Sequence, residues 1–338
     1  MVIVTHGHRE AVRRGLPELA DQLGSDDELI VVDNASSDGT PGAVRELVPA
    51  AVVIEAGSNL GFAAGCNRGA QVATRPLLVF LNPDATPVEG FREAIERPLV
   101  EGRGWSAWQG VVTAQRGAVI NTSGGVVHFT GLAWAGVEDP GSRSGEPGFV
   151  SGACLAIPRT LFDRLGGFAE DYFLYHEDVD LSLRVRLDGG TLGVEDAARV
   201  DHDYEFAKGA VKWRRLERNR WATIVRTYPA MLLALVAPAL VATELALIPI
   251  SIAGGWFGSK LGAWWDLARA APRLARERRG IQAARAISIG DFAAALTARL
   301  DSPYLGAAAD SRLLGTALRA YWSIVCVLLG GGRSVSSG

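Results

Sequence analysis

A mostly parallel α/β sheet is predicted for the first part of this 338-residue chain by three observations. Short apolar runs recur between Met1 and Thr86, helical patterns separate them, and the runs end in clusters of Asp, Asn, Ser and Gly. Alternating strands and helices imply parallel pairing, because parallel neighbours need a crossover long enough to hold a helix. In such sheets ligands bind beyond the carboxyl ends of the strands.

Val2-Ile3-Val4 opens the sheet, and a helix around Arg9 to Leu23 follows with Leu16, Leu19 and Leu23 on one face. Leu29 to Val32 forms a second strand, Val52 to Ile54 a third and Leu77 to Leu81 a fourth, with a helix over Gly61 to Ala73 before the last. Polar loops follow three of these strands: 33–39, 57–61 and 82–84. From Arg103 to Val150 short β-like runs and the glycines 117, 124, 125, 131, 136 and 141 predict an irregular antiparallel insertion. Helical periodicity returns at Leu161 and from Glu177 to Leu187, where Val179, Leu183 and Leu187 form an inward stripe before Gly189-Gly190. A last strand is expected over Thr191 to Val194.

A net charge of −3 gives no global argument for a nucleic-acid binder. Cys66, Cys154 and Cys326 are too scattered for a CxxC pair or a disulfide framework, which fits a reducing compartment and no structural zinc. No charged and apolar leader precedes Val2, so the N-terminal part is expected to stay in the cytoplasm. Beyond it, Lys208, Lys212, Arg214, Arg215, Arg218, Arg220 and Arg226 precede an apolar run from Met231 to Phe257, and Lys260, Arg269, Arg273, Arg276, Arg278 and Arg279 follow it. The domain boundary is placed near Thr227, giving an α/β domain over 1–226 and a helical, membrane-associated region over 227–338.

The apolar run could span a bilayer at ~1.5 Å per residue. Pro238, Glu244, Pro249 and Gly254-Gly255 interrupt it, however, and a single crossing would carry one basic flank to the wrong side. A broken hairpin or an in-plane helix pair fits better. Trp256, Trp264 and Trp265 beside Lys260 are expected as interfacial anchors, with Arg269 to Arg279 against anionic headgroups. The competing reading is a soluble helical subdomain whose apolar face packs on the first domain. Ala320 to Leu329 is short for a span.

The polar loops supply the candidate chemistry. Asp33, at a strand end, can accept hydrogen bonds from a base or ribose, or simply cap a turn. The stretch from Asn59 to Gly69 is a glycine-rich loop entering a helix; it suits a diphosphate at the helix N-terminus, or tight packing through Gly61 and Gly65. Asp84, after Asn82-Pro83, can ligate a hard cation that bridges phosphates, or close an Asx-Pro turn. Glu177, Asp178 and Asp180 open a helix where carboxylates favour the dipole, but Tyr172, Phe173, Tyr175 and His176 make a partly apolar wall that could raise a base's pKa. His202 offers a nitrogen ligand or a structural imidazole.

In order, Val31 to Thr40, Asn59 to Asn67, Leu81 to Asp84, Gly152-Ala153-Cys154 and Phe173 to Leu181 resemble family 2 glycosyltransferases, most closely the rhamnosyltransferase-like branch. The resemblance implies a GT-A fold (Rossmann-like, with a mostly parallel central sheet), a nucleotide-sugar donor, Mg²⁺ or Mn²⁺, and inversion at the anomeric carbon. Asp33 then matches the nucleoside carboxylate, with Thr5 beside it, and Asn59, Gly61 and Asn67 match the loop lining the diphosphate. Asp84 matches the last acid of the DxD-type motif, His202 the later metal-ligand histidine, and Asp178 the catalytic base, with Glu177 supporting it or orienting the acceptor. Asn82 stands where the first Asp of that motif is usual, and His6-Gly7 replaces an aromatic-Asn pair.

The expected donor is dTDP-rhamnose or its UDP counterpart. The expected acceptor is a polyprenyl-linked glycan of cell-surface polysaccharide synthesis, met at the cytoplasmic face of the cell membrane by a peripheral or hairpin-anchored enzyme. Transfer of galactofuranose or a hexose, or a silent membrane-bound nucleotide-binding scaffold, are the alternatives.

Overall fold

A computed structural model describes residues 1–139, 145–202, 209–301 and 311–330, with backbone only at 209 and 210. Gly141, Asp203 and Lys208 lie outside the described residues. By packing, the chain divides into two compact units: residues 1–125, 135–185 and 190–207 in one, and 126–134, 186–189 and 208–338 in the other.

In the first unit the elements run β1 (Val2–Thr5), α1 (Arg9–Ala20), β2 (Ile30–Asp33), α2 (Thr40–Leu47), β3 (Val52–Glu55), α3 (Gly61–Val72), β4 (Leu77–Leu81), β5 (Ala85–Pro87) and α4 (Phe91–Val100). Then come β6 (Ala107–Ala114), β7 (Val119–Thr122), and β8 (Gly125–Val127) with β9 (Ala133–Ala135), a separate two-stranded ribbon of which residues 126–134 belong to the second unit. β10 (Cys154–Pro158), α5 (Arg159–Leu165), a 3-10 turn at Glu170–Tyr172, α6 (Glu177–Leu187) and β11 (Leu192–His202) follow.

One sheet carries nine strands in the order β3-β2-β1-β4-β10-β6-β11-β5, with β7 on β6. Pairing is parallel among β1, β2, β3 and β4 and between β6 and β11; β10, β5 and β7 run antiparallel to their neighbours. The side-chain period of two sends Val2, Val4, Ile30, Val32 and Phe80 to one face, against α3, α5 and α6. It sends Ile3, Val31, Val79 and Leu81 to the other, against α1, α2 and α4. Each such side chain contributes about 1.5–3 kcal/mol when fully buried.

Three details depart from the sequence reading. β6 belongs to the main sheet rather than to an irregular insertion, because β10 and β11 flank it on both sides. β11 continues past Val194 through a register shift between Glu195 and Arg199, so His202 ends this strand instead of following it. α2 and α4 were not foreseen.

In the second unit α7 (Gly209–Thr227), α8 (Ala230–Ala253), α9 (Phe257–Ala283), α10 (Ile289–Ala294) and α11 (Arg312–Leu328) form a helical layer. The sequence boundary at 226/227 falls inside this unit, at the end of α7. The cause is a buried ion cluster: Lys260 Nζ lies 2.6 Å from Glu217 and 2.8 Å from Glu244, and Arg220 pairs with both carboxylates. Lys260, beside the three tryptophans expected as interfacial anchors, is therefore fully enclosed. Trp256 is buried and stacked on Trp213 at 4.9 Å, and Trp264 donates to Glu244, which leaves Trp265 as the exposed member of the three expected anchors. α8 is long and apolar enough to cross a membrane, with mean hydropathy 2.3 and 17% of that window buried.

Candidate active site

The site is assembled in the first unit where β1, β2, β4 and β11 end. Thr5 and Asp33 are partners in register, and the Thr5 hydroxyl donates to Asp33 Oδ1 at 2.8 Å. Ser36 adds its backbone N–H at 2.9 Å and its hydroxyl at 2.5 Å, so Asp33 also closes the turn after β2. Next to it the buried Asn34 donates from Nδ2 to the Gly61 carbonyl at 2.9 Å, while its Oδ1 is buried without a hydrogen bond. Asn59 is exposed and accepts from the Gly61 N–H at 3.0 Å.

The glycines of α3 are first of all packing devices. A Cβ at Gly65 would lie 2.6 Å from Val4 Cγ1, and one at Gly69 2.4 Å from Val2 Cγ1, so small residues let α3 settle on β1. The first-turn amides of Phe62 and Ala63 donate to the Phe173 carbonyl. Asn67 is likewise occupied: Nδ2 donates to the Phe168 carbonyl and to Glu170, and Oδ1 accepts from Phe168 N–H. It braces the loop before α6.

At the ends of β4 and β11, His202 Nε2 lies 2.8 Å from Asp84 Oδ1 and 3.4 Å from Asn82 Nδ2. The register that pairs His202 with Ala85 makes this contact, and no sequence spacing could. Burial works against ionisation of Asp84, but the His202 hydrogen bond and charge outweigh it and hold the carboxyl below its ordinary range. Carboxylate oxygen, amide oxygen and imidazole nitrogen form a donor set suited to a divalent ion shared with a diphosphate. Among the described residues no group of three or more His, Cys, Asp or Glu gathers, so a cation here would draw its remaining ligands from the bound nucleotide and water.

The three acids of α6 separate completely. Asp178 is half-buried and accepts from Gly152 N–H at 3.1 Å and Val179 N–H at 2.8 Å; burial raises its pKa above the ordinary value, and those amides moderate the rise. Glu177 is 5% exposed, its Oε2 buried with no hydrogen bond, and burial followed by the Asp178 charge pushes its pKa well up. Asp180, expected to cap the helix, is fully buried and pairs with Arg184 Nε at 2.8 Å; Arg184 in turn donates to the carbonyls of Leu165 and Gly167.

A short bridge joins the two acidic segments. Gly152 N–H binds Asp178, and the carbonyl of the next residue, Ala153, accepts from Asn82 N–H at 3.1 Å. Two consecutive residues thus tie the end of β4, which leads to Asp84, to the start of α6, which carries Asp178. Gly152 and Asn34 lie in stretches that the sequence marks without assigning them a role, and Arg184 carries no sequence signal; for Asn34 the signal is its place next to Asp33.

The model of "Glycosyl transferase family 2" matches residues 1–166. A relative from Mycobacterium tuberculosis named "N-acetylglucosaminyl-diphospho-decaprenol L-rhamnosyltransferase" is 28% identical over 240 residues, 62% of this chain and 77% of its own length. Among solved structures, GalNAc-T7 with UDP, GalNAc and Mn²⁺ aligns at TM-score 0.55 and 15% identity over 69% of this chain, which spans 49% of that one. The mannosyltransferase PcManGT from Pyrobaculum calidifontis, with GDP-Man and Mn²⁺, aligns at TM-score 0.50 and 19% identity over 98% of this chain and 87% of that one. The fold is GT-A, the first 166 of the 338 residues are similar to glycosyl transferase family 2, and the chain is a glycosyltransferase.

Proposed function

We propose that this glycosyltransferase moves rhamnose, from dTDP-rhamnose or its UDP counterpart, to a hydroxyl of a polyprenyl-diphosphate-linked glycan with inversion at the anomeric carbon. The observation that carries the reading is the bridge at Gly152-Ala153, which ties the segment bearing Asp178, a carboxylate of raised pKa, to the strand end that leads to the Asp84–His202 pair. The rhamnosyltransferase named above supports the sugar and the lipid-linked acceptor.

Asp178 takes the acceptor hydroxyl's proton while that oxygen bonds to the anomeric carbon and the bond to the diphosphate breaks on the opposite face. Glu177, enclosed beside it, stays protonated, because two carboxylates so close do not both ionise readily. A single negative charge then faces the acceptor. Asp33 and Thr5 receive the nucleoside, and Asn59 and Gly61 line the approach of the diphosphate. Asp84, with His202 beside it, would hold Mg²⁺ or Mn²⁺, which supplies charge neutralisation for the leaving diphosphate.

The enzyme meets its lipid acceptor as a peripheral protein at the cytoplasmic face, with α8 lying in the interface. Support comes from the high hydropathy and low burial of α8, and from Glu244 along it, whose pairing with Arg220 and Lys260 disfavours a lone spanning helix. The deciding assay presents dTDP-rhamnose, UDP-galactofuranose and UDP-hexoses to the full chain with an N-acetylglucosaminyl-diphosphoryl polyprenol acceptor. Rhamnosyl transfer with an inverted anomer is expected; preference for another donor would reassign the sugar, and no turnover or donor hydrolysis with any would leave a silent scaffold. Flotation with anionic liposomes checks the location, and a chain that stays with the soluble fraction would refute it.

A further inference from the structure

The five residues before Asp178 are wound in a way that local sequence preferences oppose. Phe173 has φ 63° and ψ −59°, and Leu174 N–H reaches back to the Tyr172 carbonyl at 2.6 Å, which makes a γ-turn of the strained hand. Tyr175 and His176 follow with φ 74° and 67°. Three such residues in four, none of them glycine, persist only when the surroundings over-determine them.

The over-determining contact lies on α3. The Phe173 carbonyl accepts from Phe62 N–H at 2.6 Å and Ala63 N–H at 3.4 Å, filling the role of the side-chain cap that α3 lacks. Gly61 admits the turn: its φ is +83°, and a Cβ there would lie 2.5 Å from the Phe173 oxygen and 2.6 Å from the ring. Gly61 is also the hub to which Asn34 and Asn59 bond. The Phe62 ring continues the contact to Gly152, whose amide holds Asp178.

We propose that Phe173 is a positioning residue, whose backbone carbonyl, seated on the first turn of α3 through the gap at Gly61, sets the start of α6 and with it the Asp178 carboxylate. One strained turn thereby links the loop beside Asp33 to the base. This rests on the reading of Asp178 as the base. It assigns Phe173 a job distinct from lining an apolar wall, since the group that acts is its carbonyl.

The test compares Phe173→Gly, Gly61→Ala and Asp178→Asn in the full-length enzyme, with dTDP binding by calorimetry and turnover of dTDP-rhamnose. Phe173→Gly relieves strain but frees the turn, so the protein should fold, lose about tenfold to a hundredfold in kcat, and keep its Kd for dTDP within about threefold. The acid limb of its kcat/KM profile should move to lower pH as water reaches Asp178. Gly61→Ala, which drives a Cβ into the same junction, should lower kcat in the same range, and the double variant should lose less kcat than the product of the single losses, as contacting residues do. If Gly61→Ala does not fold, Phe173→Gly carries the test alone. Wild-type kcat with an unmoved acid limb in Phe173→Gly, while Asp178→Asn is inactive, overturns the positioning role and leaves the base intact. Loss of dTDP affinity in step with kcat overturns it too. Full turnover by Asp178→Asn would instead refute the base itself, and the positioning role with it.

Discussion

Replacing Asp178 by Asn removes the charge and one of two acceptor oxygens. Gly152 N–H bonds to Oδ2 and Val179 N–H to Oδ1, so the amide oxygen keeps one of these bonds, and turned toward Gly152 it preserves the bridge to Ala153 and Asn82. A positioned general base contributes about 10²–10⁴ in rate, or about 3–5 kcal/mol on the barrier at ~1.36 kcal/mol per tenfold. Turnover in steady-state transfer assays should fall by that factor while dTDP binding is unchanged. The pH behaviour follows from the raised pKa: activity of the parent enzyme climbs as pH rises through the folded-state value, since only the ionised form accepts a proton. Stability moves the other way. Between the ordinary carboxylate pKa of 3.8 and the raised one, the folded chain holds a proton that the unfolded chain has lost, so stability declines as pH rises through that window. Asp178→Asn should flatten this decline, seen as melting temperature against pH. Near-normal turnover, or an unaltered stability profile, would refute the assignment.

Asp84→Ala should weaken dTDP binding in Mg²⁺ or Mn²⁺ but little in chelator, measured by calorimetry; equal loss in both conditions would make Asp84 a turn residue only. Asp180→Ala strands the buried Arg184 guanidinium and should cost about 3–5 kcal/mol in urea unfolding, against a small change for Asp178→Asn. Equal stability of the two variants would undo the separation of structural from chemical acids in α6.

Much of the first unit was legible because its signals are local. Leu77 to Leu81 is an apolar run bounded by turn residues, and Glu177 to Leu187 a helix with acidic start and glycine stop; both occur where the pattern placed them. The direction of β10 was not legible, since antiparallel entry between β4 and β6 is a matter of chain path. Nor was the length of β11, whose irregularity at Glu195/Arg199 interrupts the alternation that marks a strand. Lys260 misled for a related reason: beside three tryptophans it reads as an interfacial cation, yet its partners Glu217 and Glu244 come from α7 and α8.

The candidate site divides along the same line. Sequence alone determined that polar residues collect at strand ends and that Glu177, Asp178 and Asp180 open a helix, because periodicity and turn chemistry act over a few residues. Which acid does chemistry was decided by tertiary structure. Successive helical residues are turned by about 100°, so three neighbouring carboxylates meet three surroundings. Asp180 meets Arg184, and Glu177 meets an enclosed wall near Cys66, whose thiol burial pushes up. Asp178 meets the amide of Gly152. Those partners arrive from distant parts of the chain, and burial and pairing, which set a carboxylate's pKa and reach, exist only once they have packed.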